Sequence, residues 1–269
     1  MITIIKKRVN FSCDIYPVIT IMKPSHCFTL PSILILSLST FSLSSKPLFA
    51  ALEVEIAQAA TAEDNYFEAW HNRGVSLEKL GRYEEALASY DKALEIKPDY
   101  HLALNGRGSA LYHLGSYKEA LASYDKALEI KPDYHLALSN RGLALEKLGR
   151  YEEALASYDK ALEIKPDYHL ALNGHGNALY YLGSYKEALA SYNKALEIKS
   201  DYHYAWRNRG LALEKLERYE EALASFDKAL EIKPDYHYAW NSRGLLLHKL
   251  GRYSEAIDSY NRALEIQGE

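Results

Sequence analysis

A chain of 269 residues with 48% hydrophobic and 25% charged side chains has the composition of a folded protein and not of a disordered one. Its formal net charge of -4 lies wholly after residue 66, because five basic and five acidic side chains cancel in the segment before it. Such an acidic body lacks the clustered Lys and Arg that phosphate backbones need, which argues against a nucleic acid partner. Both cysteines, Cys13 and Cys27, lie in that first segment, leaving the remainder without a disulfide, a thiolate nucleophile or a cysteine metal ligand.

Residues 1–50 have the pattern of a targeting segment. The stretch Phe28 to Leu43 is apolar and Ser-rich with basic residues only upstream, and it is shorter than the ~20 residues a membrane span needs. Counted from Met22, it makes a signal peptide of ordinary length, with Met1 to Ile21 as an upstream extension of the gene start. Export is the expectation, with a membrane-anchored or a cytoplasmic chain as the alternatives. Cleavage after Ala50 meets a poor Leu48, whereas Ala57-Gln58-Ala59 fits the small-x-small rule but lies far from the apolar stretch. Residues 51–66 favour the earlier site. When Tyr66 is aligned with Tyr100, Ile56 and Ala59 fall where Tyr90 and Ala93 stand, so Leu52 to Ala62 reads as a degenerate helix that caps the first helix beyond Tyr66.

From Phe67 the chain repeats every 34 residues: Ser89-Tyr90-Asp91-Lys92-Ala93-Leu94-Glu95-Ile96-Lys97-Pro98-Asp99-Tyr100 recurs from Ser123, Ser157, Ser191, Ser225 and Ser259. Six units result, spanning 67–100, 101–134, 135–168, 169–202, 203–236 and 237–269. In each, Trp or Leu at repeat position 4, Gly at 8 and Leu at 11 and 14 share one helical face, and a Leu-Gly turn ends that helix. A second helix carries Ala86, Tyr90, Ala93 and Leu94 at spacings of 3 and 4 and is stopped by Pro98, which cannot donate to the helical ladder. No single hairpin buries both apolar faces, so the units must stack.

The pattern Trp70-x-x-Arg73-Gly74-x-x-Leu77, then Ala86-x-x-x-Tyr90, Ala93 and Pro98, resembles the tetratricopeptide repeat (TPR), and the resemblance covers residues 67–269. It implies an all-α, right-handed superhelical solenoid of six helix-turn-helix units that binds other proteins and catalyses nothing. The chain departs from the family at repeat position 7, where Leu is usual and Arg73, Arg107, Arg141, Arg209 and Arg243 stand, with His175 in the fourth unit. This residue sits beside the apolar stripe, where its stem can pack while the guanidinium meets a second-helix Ser or the Asp91-type residue of a neighbour.

In solenoids of that family the first-helix positions 2, 5, 9, 12, 13 and 16 line a concave groove. Units one, three and five present Glu78, Lys79 and Arg82 or their equivalents there; units two and four present Tyr112, His113 and Ser116, or Tyr180, Tyr181 and Ser184. The alternation implies a 68-residue double unit. Of 23 tyrosines, 17 recur at packing positions, and five of the rest fall on this face. The candidate partner-binding residues are therefore Tyr112, His113, Asn173, Asn177, Tyr180, Tyr181, Tyr204, Arg207, Leu211 and Tyr238, with the hot spot across units four and five. Tyr supplies contact area there and Asn a hydrogen bond to an extended backbone. The same junction reads as softer, because Ser200 replaces the helix-stopping Pro and Glu217 replaces the turn Gly.

Sharper readings fail on their residues. A chaperone-tail carboxylate clamp needs Lys at position 5, which here is His71, Asn105, Ser139, Asn173, Arg207 or Asn241. No phosphate-binding loop, His-Glu-x-x-His or Gly-x-Ser-x-Gly occurs, so neither catalytic residues nor cofactors are expected. His101, His135, His169, His203 and His237 recur once per unit, roughly 8 to 10 Å apart or more if helices pack normally, whereas metal ligands lie about 2 Å from a shared ion. They read as junction packing residues and not as metal ligands. In the last unit Ile257, Leu264 and Ile266 occupy positions that a following unit would cover, which suggests a weak homodimer through the last helix. Two functions remain open: a protein- or peptide-binding scaffold, and a self-assembling module joined through its ends.

Overall fold

The computed structural model describes residues 66–268; the targeting segment and the capping helix fall outside the described residues. Twelve helices fill the described residues: α1 (Tyr66–Lys79), α2 (Tyr83–Ile96), α3 (His101–His113), α4 (Tyr117–Ile130), α5 (His135–Lys147), α6 (Tyr151–Ile164), α7 (His169–Tyr181), α8 (Tyr185–Ile198), α9 (His203–Lys215), α10 (Tyr219–Ile232), α11 (His237–Lys249) and α12 (Tyr253–Gly268). Each odd-numbered helix packs antiparallel on the even one that follows it, and that even helix packs on the first helix of the next unit. Successive first helices also touch one another, so the stack curves with its first helices inside.

One contact sets the spacing within each unit. The ring of Tyr90 is wholly buried between Gly74 of α1 and Gly106 of α3, where an added Cβ would stand 2.6 Å and 2.5 Å from ring carbons. Tyr158 is held in the same way between Gly142 and Gly174. Tyr124, Tyr192 and Phe226 fill the corresponding sites against one glycine each. Burying such rings contributes about 1.5 to 3 kcal/mol apiece.

The helix ends follow the sequence closely. Gly81 closes α1 with φ of 72°, its N–H donating to Glu78 (2.9 Å) while the Arg82 N–H donates to Leu77 (2.9 Å), the paired bonds of a Schellman turn. Helices α2, α4, α6 and α10 end at their Lys-Pro pairs, and α8, which has Ser200 in place of Pro, ends at the same point with the same backbone angles at Lys199 (φ -135°, ψ 88°) as at Lys165 (φ -134°, ψ 87°). The missing proline therefore leaves the turn unaltered.

Repeat position 7 staples neighbouring units. Arg107 donates through Nε to Asp91 of the preceding unit (2.7 Å) and through a terminal nitrogen to Ser123 of its own (2.7 Å). Arg141 and Arg243 repeat both bonds, and His175 joins Asp159 (3.1 Å) to Ser191 (2.9 Å). The two acceptors that the sequence offers as alternatives are thus used together. Because the carboxylate belongs to the preceding unit, Asn193 faces Arg209 (2.8 Å). With their carboxylates nearly half exposed, such pairs contribute on the order of 0.2–1 kcal/mol each.

Glu217 is the one non-glycine among the described residues with positive φ (60°), and it makes the same turn, with the Arg218 N–H on Leu213 at 2.9 Å. A side chain in that conformation costs about 1 kcal/mol relative to glycine. Glu217→Gly should raise the unfolding free energy by about that amount in urea titrations, with an unchanged helical circular dichroism spectrum.

Candidate functional site

The first-helix face has a floor and two edges. The floor of its central part is an amide network: Nδ2 of Asn208 donates to Oδ1 of Asn173 (3.2 Å) and of Asn177 (3.0 Å), and the Tyr192 hydroxyl donates to Asn177 Oδ1 as well (2.9 Å). One double unit earlier, Nδ2 of Asn140 donates to Oδ1 of Asn105 (3.1 Å). Asn173 is buried, not presented to a partner, and Asn177 is committed to a core tyrosine. These two sequence-predicted residues are structural: removing Asn177 would leave a buried hydroxyl without an acceptor, a cost of about 1–3 kcal/mol.

The expected bands of exposed charge are also altered. Arg82, Arg150 and Arg218 turn away to form paired bonds with Glu85, Glu153 and Glu221 at the start of the following helix, between 2.6 and 2.8 Å. Glu78 and Glu146 are half-buried, each accepting the hydroxyl of a core tyrosine, Tyr90 and Tyr158. An isolated helix shows which way a residue points, but the reach of a ring from the packed helix behind it is a tertiary fact.

The edges keep the aromatic character read from the sequence. Along one, His113 stacks on Tyr83 (centroids 4.4 Å, planes 10°) and Tyr181 on Tyr151 (4.7 Å, 13°), each joining two units. Tyr112 and Tyr180 lie just inside, half-buried against the core and edge-on to Tyr117 (5.3 Å) and Tyr185 (5.4 Å). The other edge is a run of rings from Tyr202 through Tyr204 and Tyr236 to Tyr238, 5.4 to 5.9 Å apart. Tyr204 and Tyr238 are 45% and 56% exposed, and the Arg207 guanidinium lies 5.7 Å over the Tyr238 ring, donating at 3.3 Å to Ser242 and at 3.4 Å to the Tyr238 carbonyl and to Asn208 Oδ1. Leu211 is half-buried on the core beneath. Four junction histidines pack edge-on against the tyrosine that ends their own unit, His101 on Tyr134 (5.2 Å), His135 on Tyr168 (5.4 Å), His169 on Tyr202 (5.3 Å) and His203 on Tyr236 (4.9 Å).

At the far end Ile257 and Leu264 are 57% and 65% exposed, whereas Leu121, Leu189, Leu196 and Leu230 at the same repeat positions are buried. Ile266 does not belong with them. It is half-buried, like Ile232, while the equivalents Ile96, Ile130, Ile164 and Ile198 are 42–46% exposed although a unit follows each of them, so a successor does not bury that position.

Two family models, both described as tetratricopeptide repeat, match residues 54–101, 72–135 and 173–237, and 135–168 and 237–269. The chain belongs to the tetratricopeptide repeat family. No curated protein matches it. Among solved structures, YrrB, described as a TPR protein with an unusual peptide-binding site, is 30% identical over 67% of this chain and 94% of its own, with a TM-score of 0.53. The type IV pilus biogenesis factor PilW (23% identity, 72% of this chain and 90% of its own, TM-score 0.67) and the Cut9-Hcn1 assembly (20%, 74% and 40%, 0.68) share the fold.

Within this tetratricopeptide groove the electrostatic focus is Glu146. Burial pushes its carboxyl up to about 7, against the opposing pull of the Tyr158 hydroxyl, the Asn177 amide and the Lys147 charge. The folded protein therefore keeps a proton that the unfolded chain has released between pH 4.5 and about 7, so this group's contribution to stability declines as pH rises through that window. The junction histidines, lowered by burial, act in the opposite sense just below 6.5, so the difference between two proteins isolates the carboxyl. Glu146→Gln should gain stability over the parent as pH rises from 5 to 8, read by urea unfolding at both pH values; a constant difference would mean that the carboxyl titrates normally.

Proposed function

We propose that this chain is a non-enzymatic scaffold that holds an extended or helical segment of a partner protein against its first-helix face, chiefly over units four to six. The observation that carries this reading is the exposed pair Tyr204 and Tyr238 with Arg207 beside them: large, stiff aromatic surface and a guanidinium, the residue types that dominate binding hot spots. The family supports it, since a tetratricopeptide solenoid offers protein-binding surface, and YrrB is described as having a peptide-binding site. No catalytic family is among the matches. Self-association through α12 is the second reading, favoured by the exposure of Ile257 and Leu264.

The groove reading is tested with peptides selected from a random displayed library on the full chain and then measured by calorimetry. Replacing Tyr204 and Tyr238 together with Ala, or Arg207 with Ala, should weaken the selected peptides about tenfold or more, as hot-spot truncations do. Because Tyr204 and Tyr238 are exposed, the melting temperature should hardly move. Full affinity in both variants would place the site elsewhere.

A further inference from the structure

The acidic position at the end of the first helix occurs three times, as Glu78, Glu146 and Glu214, and is completed in two different ways. In unit five the core aromatic is Phe226, which has no hydroxyl to donate, and the chain supplies a cation instead: Lys249 of the next unit lies 3.7 Å from Glu214 while sitting 4.8 Å over the Tyr219 ring. In units one and three a tyrosine hydroxyl is donated, but the place equivalent to Lys249 is taken by His113 or Tyr181, each stacked on the tyrosine equivalent to Tyr219. Neither Glu78 nor Glu146 pairs with a lysine or arginine among the described residues, and Oε1 of Glu78 is buried without any hydrogen-bond partner. A desolvated carboxylate without a counter-ion is unfavourable, and a cation brought to it recovers that loss.

Resting on the groove reading above, we propose that Glu146, and Glu78 two units before it, receive Lys or Arg side chains where the bound segment runs on over units one to three, each partner cation lying beside the Tyr181 or His113 ring that stands where Lys249 stands at Glu214. The surroundings of Glu146 are polar and aromatic. The Tyr158 hydroxyl of α6 and the Asn177 amide of α7 hydrogen-bond it, its charge is felt by Tyr112 of α3 and Tyr192 of α8, and Lys147 on its own helix is exposed. Beside Glu146 the Tyr181 ring, stacked on Tyr151 and largely exposed, attracts ammonium and guanidinium groups through its quadrupole as well as the neighbouring charge. Burial also pushes the Tyr112 phenol up to about 12, keeping it neutral beside the acid. With first helices in contact, the two carboxylates stand roughly 20 Å apart, a span of about six extended residues. The ligand class is therefore a basic peptide, in keeping with the acidic body of the chain.

The probe is fluorescein-labelled hexalysine, with its Nε-acetylated counterpart as the neutral control, titrated by anisotropy with the full chain at pH 8 and pH 6. Hexalysine should bind at least tenfold tighter than the acetylated peptide at pH 8 and weaken several-fold at pH 6, where Glu146 is protonated. Glu146→Gln should lose about tenfold at pH 8 and lose its pH dependence. Tyr181→Lys, which installs the equivalent of Lys249 at an exposed position, should compete with the peptide and weaken it to a similar degree. Wild-type affinity in Glu146→Gln would reduce the attraction to the overall charge of the chain and overturn the proposal, as would equal binding of the acetylated peptide. Library-selected peptides that depend on Tyr204 and Tyr238 yet carry no Lys or Arg would overturn it while leaving the groove reading intact.

Discussion

The aromatic ring wedged against the glycine at the middle of each first helix governs both sides of this solenoid. Because the ring leaves no room for a Cβ on that glycine, the two helices of a unit are held at one separation, and the units must stack at a constant pitch. Because the ring is a tyrosine in most units, its hydroxyl emerges on the first-helix face and needs an acceptor there. Tyr90 takes Glu78, Tyr158 takes Glu146 and Tyr192 takes Asn177. A core residue thus dictates the chemistry of the surface opposite, and Phe226, which makes no such demand, leaves Glu214 to a lysine.

The alternation of the groove has its origin in the same contact. Tyr90 and Tyr158 are enclosed by a second glycine from the next unit, Gly106 and Gly174, whereas the units that follow Tyr124 and Tyr192 carry Asn140 and Asn208 at that position. Those asparagines bond back to Asn105 and Asn173. The 68-residue period is therefore an alternation of two junctions, one closed by glycine and one by amide pairs, and the different groove residues lie over different junctions.

Much of this was legible in the sequence. The 34-residue period gave every unit, the Leu-Gly and Lys-Pro pairs gave the helix ends, and Glu217 stood out as the residue forced into a left-handed turn. The packing roles of the junction histidines were also readable, because equivalent positions in stacked helices are too far apart to share an ion. What helical periodicity does not carry is distance across the stack. It placed Asn173 and Asn177 on the groove face without revealing that Asn208 and Tyr192 consume them, and it placed Arg82 beside Glu78 without revealing the Glu85 carboxylate that draws it away. It likewise grouped Ile266 with Leu264, although most units leave that position exposed even where a successor follows.

The most direct measurement of the link between core and groove is the ionisation of Glu146 itself, followed by carbon-detected NMR of its carboxyl in the parent and in Tyr158→Phe. The tyrosine hydroxyl favours the carboxylate, so the parent should titrate near 7 and the variant distinctly higher, with the ring still wedged between Gly142 and Gly174. An unshifted titration in Tyr158→Phe, or an ordinary carboxyl in the parent, would contradict the account, because the core ring would then have no hold on the groove.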